Sequence, residues 1–351
     1  MSKSKVLLLG GAGFIGFGIA SFLAQQRDCD LTIADQFGPG QKDNDFTELV
    51  ARHKITLIKG DFTDPALFDR LESDYDYVYM LAAVVGVNRC LEHPEEVIRI
   101  NTALTANTLE WLRRSSVHRV LFASSGECYA GTTTAFNYPV PTAEDVPLCV
   151  DDIRHPRYTY AVTKMLGESA FLSCAAPYGF EATVVRYQNI FGPRMGFKHV
   201  IPHLVERFLT ASENPFRIYG ADQTRSFCYI SDSAEGSVRA MESPRAAGEV
   251  YHIGATEEIT IETLVRAVGD IVGYSGRYAH SPTYPGSVAR RCPDISKARA
   301  ELGYQPKVPW REGLERTVSW YRRFFEYGAP IPDGGFAAPR RLSYRRAGSA
   351  L

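Results

Sequence analysis

Val6-Leu7-Leu8-Leu9-Gly10-Gly11-Ala12-Gly13-Phe14-Ile15-Gly16, closed by Leu31-Thr32-Ile33-Ala34-Asp35, decides the fold of this 351-residue chain. Four apolar residues of strand length run into a glycine-rich turn, GxxGxxG on Gly10, Gly13 and Gly16, and a helix-length stretch over 17–26 precedes the next apolar run. Strand, turn, helix, strand is the opening of a parallel sheet covered by helices. Glycines are needed there so that the backbone turns tightly, approaches a pyrophosphate and lets helix pack on strand. The helix start offers unpaired N–H groups and a positive dipole end to phosphate. Asp35 ends the second strand 19 residues after Gly16. A carboxylate there accepts both ribose hydroxyls of an adenosine and repels a 2′-phosphate, so NAD is the expected cofactor, not NADP. Gly10, Gly13, Phe14, Ile15, Gly16 and Asp35 are its candidate contacts. Asp61 and Phe62, after the third apolar run, belong beside the adenine, with a helix-capping role before Pro65 as the alternative.

Outward from this unit, strands are expected over 6–9, 31–34, 55–58, 77–81, 120–123 and 183–187, and helices over 17–26, 94–114 and 160–176. From about Ile190 the elements shorten and Pro and Gly become frequent. The expectation is an α/β fold: a Rossmann doubly wound parallel sheet with a smaller C-terminal α/β substrate lobe over the carboxyl ends of the strands. Residues 1–190, with returning segments about 227–254, form the NAD-binding unit. Residues 191–335 form the second lobe, and 336–351, with four arginines and no acid, a flexible tail.

Composition narrows the partners. Lys+Arg 39 against Asp+Glu 40 gives a net charge of -1, so no overall positive field attracts nucleic acid or an acidic membrane surface. No apolar run approaches the roughly 20 residues needed to span a bilayer. The glycine-studded apolar N-terminus lacks a small-residue cleavage site and does not read as a signal peptide. A cytoplasmic location is expected. Seven scattered cysteines without a CxxC pair point to neither a disulfide framework nor a zinc site, and no metal is expected.

Tyr160-Ala-Val-Thr-Lys164 places a phenol and an ammonium on one helix face. A nearby ammonium lowers a phenol's pKa from about 10 and makes it a usable base for alcohol oxidation. The preceding strand end, Ser124-Ser125-Gly126-Glu127-Cys128-Tyr129, adds a hydroxyl and a carboxylate at the carboxyl edge of the sheet, with Cys128 expected to face the core.

With these motifs the chain resembles an extended short-chain dehydrogenase/reductase of the nucleotide-sugar epimerase and dehydratase family. The resemblance runs through GxxGFIG, Leu81-Ala82-Ala83, Asn101, YxxxK, Arg186-Tyr-Gln-Asn-Ile-Phe-Gly-Pro-Arg194, Tyr219-Gly-Ala-Asp-Gln-Thr-Arg225, Tyr229-Ile-Ser-Asp232 and Arg290-Arg291-Cys-Pro-Asp294. It implies an enzyme holding NAD that removes a hydride from C4 of a nucleotide-diphosphate sugar. Tyr160 takes the hydroxyl proton, Ser125 binds O4, and Lys164 holds the phenolate and the nicotinamide ribose. Leu81, Ala82 and Ala83 line the cofactor. Asn189, Arg225 and Arg291 hold the diphosphate, and Lys198 and Val200 edge the nucleobase pocket. Two long helices resemble the family's dimer interface, which implies a homodimer.

The fate of the 4-keto sugar stays open at this point. Gly126 stands where 4,6-dehydratases carry an acid and where glucuronate decarboxylases carry serine, whereas Glu127 is more than a simple 4-epimerase needs. Glu127 is a candidate base at C5, as the position of the cysteine base in 3,5-epimerases, with Lys198 as its partner, or else it orients a sugar hydroxyl. Gly86 gives the sugar room and Arg89 meets a charged substituent such as a C6 carboxylate, or faces solvent at a helix start. Tyr138, Glu144 and His155, on the insert over 130–156, are further candidate sugar contacts. The expected activity is an NAD-dependent nucleotide-sugar epimerase using a transient 4-keto intermediate. The rivals are a decarboxylase or dehydratase on that intermediate, a net oxidoreductase, and a non-catalytic dinucleotide sensor.

Overall fold

A computed structural model describes residues 3–38, 41–197, 199–211, 213–283 and 287–327. Lys198 and the expected tail over 336–351 therefore lie outside the described residues. Seven parallel strands form the main sheet, in the spatial order Val250–Ile253, Glu181–Tyr187, Arg119–Ser125, Tyr77–Met80, Ser4–Leu9, Cys29–Asp35, Thr56–Lys59. The order reverses between Ser4–Leu9 and Tyr77–Met80, and a doubly wound sheet opens a ligand crevice at such a switch point. The register there is tight: Leu9 pairs with Ala34 on one side and Met80 on the other. Gly10, Asp35 and Leu81 consequently leave the sheet at one edge.

Strand side chains alternate between two faces, and both faces are apolar, as a parallel sheet buried on each side requires. Val6, Leu8, Ile33, Tyr79, Leu121 and Val185 pack with Ile19, Leu23, Val238 and Met241 on one face. Leu7, Leu9, Val78, Met80, Val120, Phe122 and Val184 pack with Leu109, Trp111 and Phe171 on the other. Helices Phe14–Gln26 and Ile230–Glu242 cover the first face; Pro94–Leu112 and Thr159–Tyr178 cover the second.

A third apolar cluster, with Phe191, Leu204, Phe216, Ile218, Val265, Leu314 and Tyr321, lies outside the main sheet. Beside it run two small sheets, Phe216–Tyr219 with Tyr278–Ser281, and Thr224–Ser226 between Glu258–Thr260 and Arg290–Arg291. Val250–Ile253 returns to the main sheet as its edge strand, whereas Cys228–Tyr229 pairs with Ile190–Phe191 apart from it. The first helix begins at Phe14, not Phe17, because Gly13, extended at φ -69 and ψ 175, already serves as its cap. No described helix is long and apolar enough to cross a membrane.

One buried arginine ties the third cluster to the loop after Asp35. Arg194 Nε lies 2.5 Å from Asp43 Oδ2, Nη2 donates to the Gln41 carbonyl at 2.9 Å, and the guanidinium sits 3.9 Å from the Phe17 ring centroid. Asp43 also caps helix Asn44–His53 by accepting from Phe46 N at 2.9 Å.

Candidate active site

The glycine loop is a cradle that side chains would fill. Gly10 has φ +87, and a Cβ on it would lie 2.6 Å from Ala82 N; one on Gly16 would lie 2.4 Å from the Gly10 carbonyl. Helix Phe14–Gln26 starts with no side-chain cap and no acid in its first turn, so its leading N–H groups are left for an anion. Phe14 and Ile15 pack their rings and methyls into the core and face the loop with main chain alone. Asp35 Oδ2 accepts from Ala12 N at 3.0 Å and Oδ1 from Phe37 N at 3.3 Å. The carboxylate thus sits at the carboxyl end of its strand beside the glycine loop, where ribose hydroxyls would meet it. Burial raises its pKa, against the pull of those backbone donors. These residues fit NAD.

Asp61 is exposed and folds back on Thr63, accepting from its N–H at 2.9 Å and hydroxyl at 2.8 Å, while Asp64 caps the 3-10 turn Pro65–Arg70. The Phe62 ring lies in the core, 5.3 Å from Phe68, and leaves only main chain for an adenine. Leu81 and Ala82 both donate to the Leu9 carbonyl at 2.9 Å, which holds the Leu81-Ala82-Ala83 segment against the glycine loop. Asn101 braces the next turn, accepting from Val84 N at 2.7 Å and donating to Val84 O and Thr163 Oγ1, each at 3.1 Å.

At the end of strand Arg119–Ser125, Ser125 accepts from Glu127 N at 3.2 Å and hydrogen-bonds the Tyr160 hydroxyl. The expected lowering of the phenol pKa is corrected by the structure. Burial pushes Tyr160 up, and the Ser125 hydrogen bond offsets only part of that. The ammonium does not counter that burial: Lys164 Nζ donates to the Ala123 carbonyl at 2.7 Å and sits over the Phe122 ring, with the Tyr160 ring centroid 5.7 Å away. Burial pushes Lys164 itself down to about 8. Cys128 is buried against Ser124 at 3.4 Å, as expected, but on a 3-10 turn, Gly126–Tyr129, not on a continuing strand.

Behind these groups lies a pair that sequence reasoning missed. Glu168 stands one helical turn beyond Lys164. It receives Arg186 Nε at 2.9 Å, Arg186 Nη2 at 2.7 Å and a short hydrogen bond from Ser124. A four-residue step from the YxxxK lysine was the available signal.

Glu127 is the centre of a cation cluster. Its Oε1 lies 2.5 Å from Arg291 Nη1, and strand pairing sets Arg291 directly opposite Arg225. Burial raises the Glu127 pKa, but attraction from Arg291, Arg157 and Arg225 more than offsets it and holds the carboxyl below its usual range. Arg225, whose hydrogen bonds among the described residues go to the Thr224, Ala289 and Val288 carbonyls, is pushed down to about 10 by burial and by Arg291. Paired like charges in a buried site call for an anionic ligand. Arg157, which no motif singled out, belongs to this cluster, and its Nε and Arg291 Nη2 are buried without hydrogen-bond partners among the described residues.

Several expected contacts are otherwise engaged. Arg89 is ion-paired with Glu96, so it is not the free cation expected to meet a sugar substituent; the two come together because His93 breaks the chain between the short helix Val87–Glu92 and the long helix Pro94–Leu112. Glu144 accepts from His252 N at 2.8 Å and anchors the insert to the edge strand, which corrects its reading as a sugar contact. His155 caps the turn Pro156–Tyr158 through Arg157 N, and Tyr138 is half-buried on the same insert. Asn189, at φ 44, donates from Nδ2 to the Ser226 carbonyl at 3.0 Å, while its main-chain carbonyl accepts from Cys228 N at 3.3 Å. Gly86 adopts φ +109 with open space around it, and Val200 starts helix Val200–Thr210 exposed.

The family model described as NAD dependent epimerase/dehydratase matches residues 6–254. The chain belongs to this family. A UDP-N-acetyl-alpha-D-glucosaminuronate decarboxylase of Bacillus cytotoxicus is 32% identical over 330 residues, covering 91% of this chain and 98% of the relative. The UDP-glucuronic acid 4-epimerase of Bacillus cereus, solved with UDP-glucuronic acid and NAD, superposes with a TM-score of 0.79 at 25% identity, covering 91% of this chain and 99% of that one. The dTDP-glucose 4,6-dehydratase of Streptomyces venezuelae, solved with NAD, gives 0.80 at 25% identity, covering 93% and 100%. As a member of the epimerase/dehydratase family the chain is an NAD-dependent enzyme, and epimerases, dehydratases and decarboxylases stand side by side among its relatives.

Proposed function

We propose that this chain is a nucleotide-sugar 4-epimerase that works through a transient 4-keto sugar. The carrying observation is the state of Glu127: three guanidinium groups hold it as an anion, and Gly126 beside it has no side chain. So held, Glu127 has no proton to give and is a weak base, and Ser125 and Tyr160 are the groups at this edge with a proton to exchange. Bound NAD supplies an acceptor for the C4 hydride and gives it back. Ser125 holds O4, and Tyr160 takes the hydroxyl proton and later returns it, so acid and base are one residue. Its phenolate needs a cation, and Lys164 is the cation placed near it. Gly10, Gly13, Gly16, Asp35 and the main chain at Phe14, Ile15, Phe62 and Leu81 to Ala83 hold the cofactor, while Asn189, Arg225 and Arg291 hold the sugar nucleotide's diphosphate.

Decarboxylation of a C6 carboxylate is the second reading, because loss of CO2 beside a C4 ketone needs no protein base, and the guanidinium cluster suits such a substrate. The relation to the Bacillus cytotoxicus decarboxylase supports it. One experiment separates them: UDP-, GDP-, CDP- and dTDP-sugars are turned over in deuterated water and the products read by NMR. Inversion at C4 with no deuterium at C5 is expected. A pentose product or C5 deuterium overturns the epimerase reading. Accumulating NADH would point instead to a net oxidoreductase.

We also propose a homodimer. Leu91, Ile98, Val162 and Leu166 are large apolar side chains left exposed on Val87–Glu92, Pro94–Leu112 and Thr159–Tyr178. Helices Pro94–Leu112 and Thr159–Tyr178 pack side by side, so their apolar exposure supports a shared face.

A further inference from the structure

Oxidation at C4 requires Ser125 to stay on the Tyr160 hydroxyl and Lys164 to stay near the phenol, and the end of strand Arg119–Ser125 sets both. Ala123 accepts from Lys164 Nζ at 2.7 Å, Ser125 bonds Tyr160, and Ser124 stands between them. The Ser124 hydroxyl donates to Glu168 in a short hydrogen bond. Glu168 follows Lys164 by four residues, so the two share one face of helix Thr159–Tyr178. Arg186, paired with Ser124 in strand register, donates to both Glu168 oxygens, from Nε at 2.9 Å and from Nη2 at 2.7 Å. Further bonds run outward. Ser124 Oγ lies 3.4 Å from Cys128 Sγ, on the turn that carries Glu127, and Arg186 Nη1 donates to the Glu144 carbonyl of the insert at 2.9 Å. One buried carboxylate therefore joins the helix bearing Tyr160 and Lys164 to two adjacent strand ends, and through them to the turn and the insert. Replacing a buried ion pair by apolar residues of similar size is often neutral or stabilising, so stability alone does not account for this one.

We infer that Glu168 is a positioning residue for the C4 oxidation: through Ser124 and Arg186 it fixes the strand end so that Ser125 meets the Tyr160 hydroxyl and the Ala123 carbonyl receives Lys164. The inference rests on the 4-keto reading above and holds for epimerisation and decarboxylation alike, since both begin with that oxidation. Glu168 moves no proton of the sugar, because its oxygens are engaged by Arg186 and Ser124 in a buried site. Its effect is geometric. Losing the carboxylate frees the Ser124 hydroxyl and lets the strand end shift against the helix, and both contacts at the reacting edge shift with it. Displacements of about 1 Å from a change outside the chemistry can cost about a hundredfold in rate. Arg186 has the same standing from the neighbouring strand, and its bond to the Glu144 carbonyl carries the constraint into the insert.

The test is the double variant Glu168→Leu with Arg186→Met, in which both charges go together and stability returns, made in the NAD-loaded, full-length protein. It is assayed on whichever of the UDP-, GDP-, CDP- and dTDP-sugars the wild type converts. With Tm within about 2 °C of wild type, kcat is expected to fall about 10- to 100-fold while KM stays within about threefold. Ser124→Ala, which leaves the Glu168–Arg186 pair in place, is expected to lower kcat about three- to tenfold. Turnover that returns with stability in the double variant overturns the inference and makes Glu168 structural. A crystal structure of the double variant decides the same point without turnover. There Lys164 is expected to leave the Ala123 carbonyl or Ser125 the Tyr160 hydroxyl, and both contacts unchanged overturn the inference. A wild type that converts none of the sugars refutes the function proposed above, and the crystal structure then decides this inference by itself. If the double variant does not fold, Ser124→Ala decides by the same two measurements.

Discussion

Replacing Glu127 by glutamine separates a carboxylate that holds charge from one that moves protons. In the wild type three arginines surround one anion; in Glu127→Gln they surround none. Opposite charges about 4 Å apart attract by ~4 kcal/mol at an effective dielectric near 20. The Arg291 and Glu127 side chains are 12% and 26% exposed, so the pair is buried enough for the orphaned guanidinium to matter. A net loss of ~2–4 kcal/mol is expected in the unliganded protein. For a chain of this size that lowers Tm by about 3–5 °C. Arg291, released from Glu127, should then bind the nucleoside diphosphate of the preferred substrate about tenfold more tightly.

The pH dependence has a defined sign. The folded carboxyl lies below its ordinary 4.5, so its contribution is complete above that pH and is lost as pH falls through the folded value. The Tm gap between wild type and variant should therefore close in acid. Catalytically, a charge holder leaves kcat for C4 inversion within about tenfold, whereas a general base costs about 100- to 10,000-fold. Scanning calorimetry, calorimetric titration and steady-state kinetics on the same preparations check all three effects. A kcat loss above about a hundredfold at unchanged KM would refute the reasoning and make Glu127 a proton-transfer group.

Tyr160→Phe should lower turnover by about 100- to 10,000-fold while the purified protein still carries NAD; equal loss of NAD would mean the hydroxyl is structural. Glu168→Leu leaves Arg186 unpaired in a site where both side chains are 5% exposed, and should cost ~3–5 kcal/mol, or about 4–7 °C in Tm. Glu168→Leu with Arg186→Met should recover most of this, and a shift under about 1 °C in the single variant would show the pair to be energetically idle. Lys164, pushed down to about 8 in the folded chain against 10.5 unfolded, binds fewer protons folded than unfolded between those values, so its contribution to stability rises with pH there. Across pH 7–10 the urea midpoint of the wild type should rise relative to that of Lys164→Met, and parallel curves would contradict the burial of a chargeable amine. Leu166→Glu should yield monomers in sedimentation velocity; an unchanged profile would place any subunit contact elsewhere.

Local pattern made much of this molecule readable from its residues. The alternation of Val6 and Leu8 against Leu7 and Leu9, the glycine loop and the YxxxK step depend on neighbours a few positions apart, and the structure reproduces them with boundaries moved by one to three residues. What stayed illegible depends on partners far apart in sequence. The direction of Lys164 is set by the Ala123 carbonyl, 41 residues back, and burial, uncountered by that ammonium, reverses the expected tuning of Tyr160. Arg89 looked available because its partner Glu96 sits beyond a helix break. Arg157 looked unremarkable because its meaning lies in two other arginines, brought close by strand pairing more than 60 residues downstream.

The Arg194 contact bears on how long the cofactor stays. Its guanidinium joins the segment leading to helix Val200–Thr210 to Gln41 and Asp43, and separating them strands a buried charge. Parting the two segments would break the ion pair and the carbonyl contact together, so they are tied at the cost of that buried charge. An enzyme that returns its hydride every cycle has no use for rapid cofactor exchange. On the proposed cycle, a cross-strut of this kind favours a cofactor that stays through many turnovers.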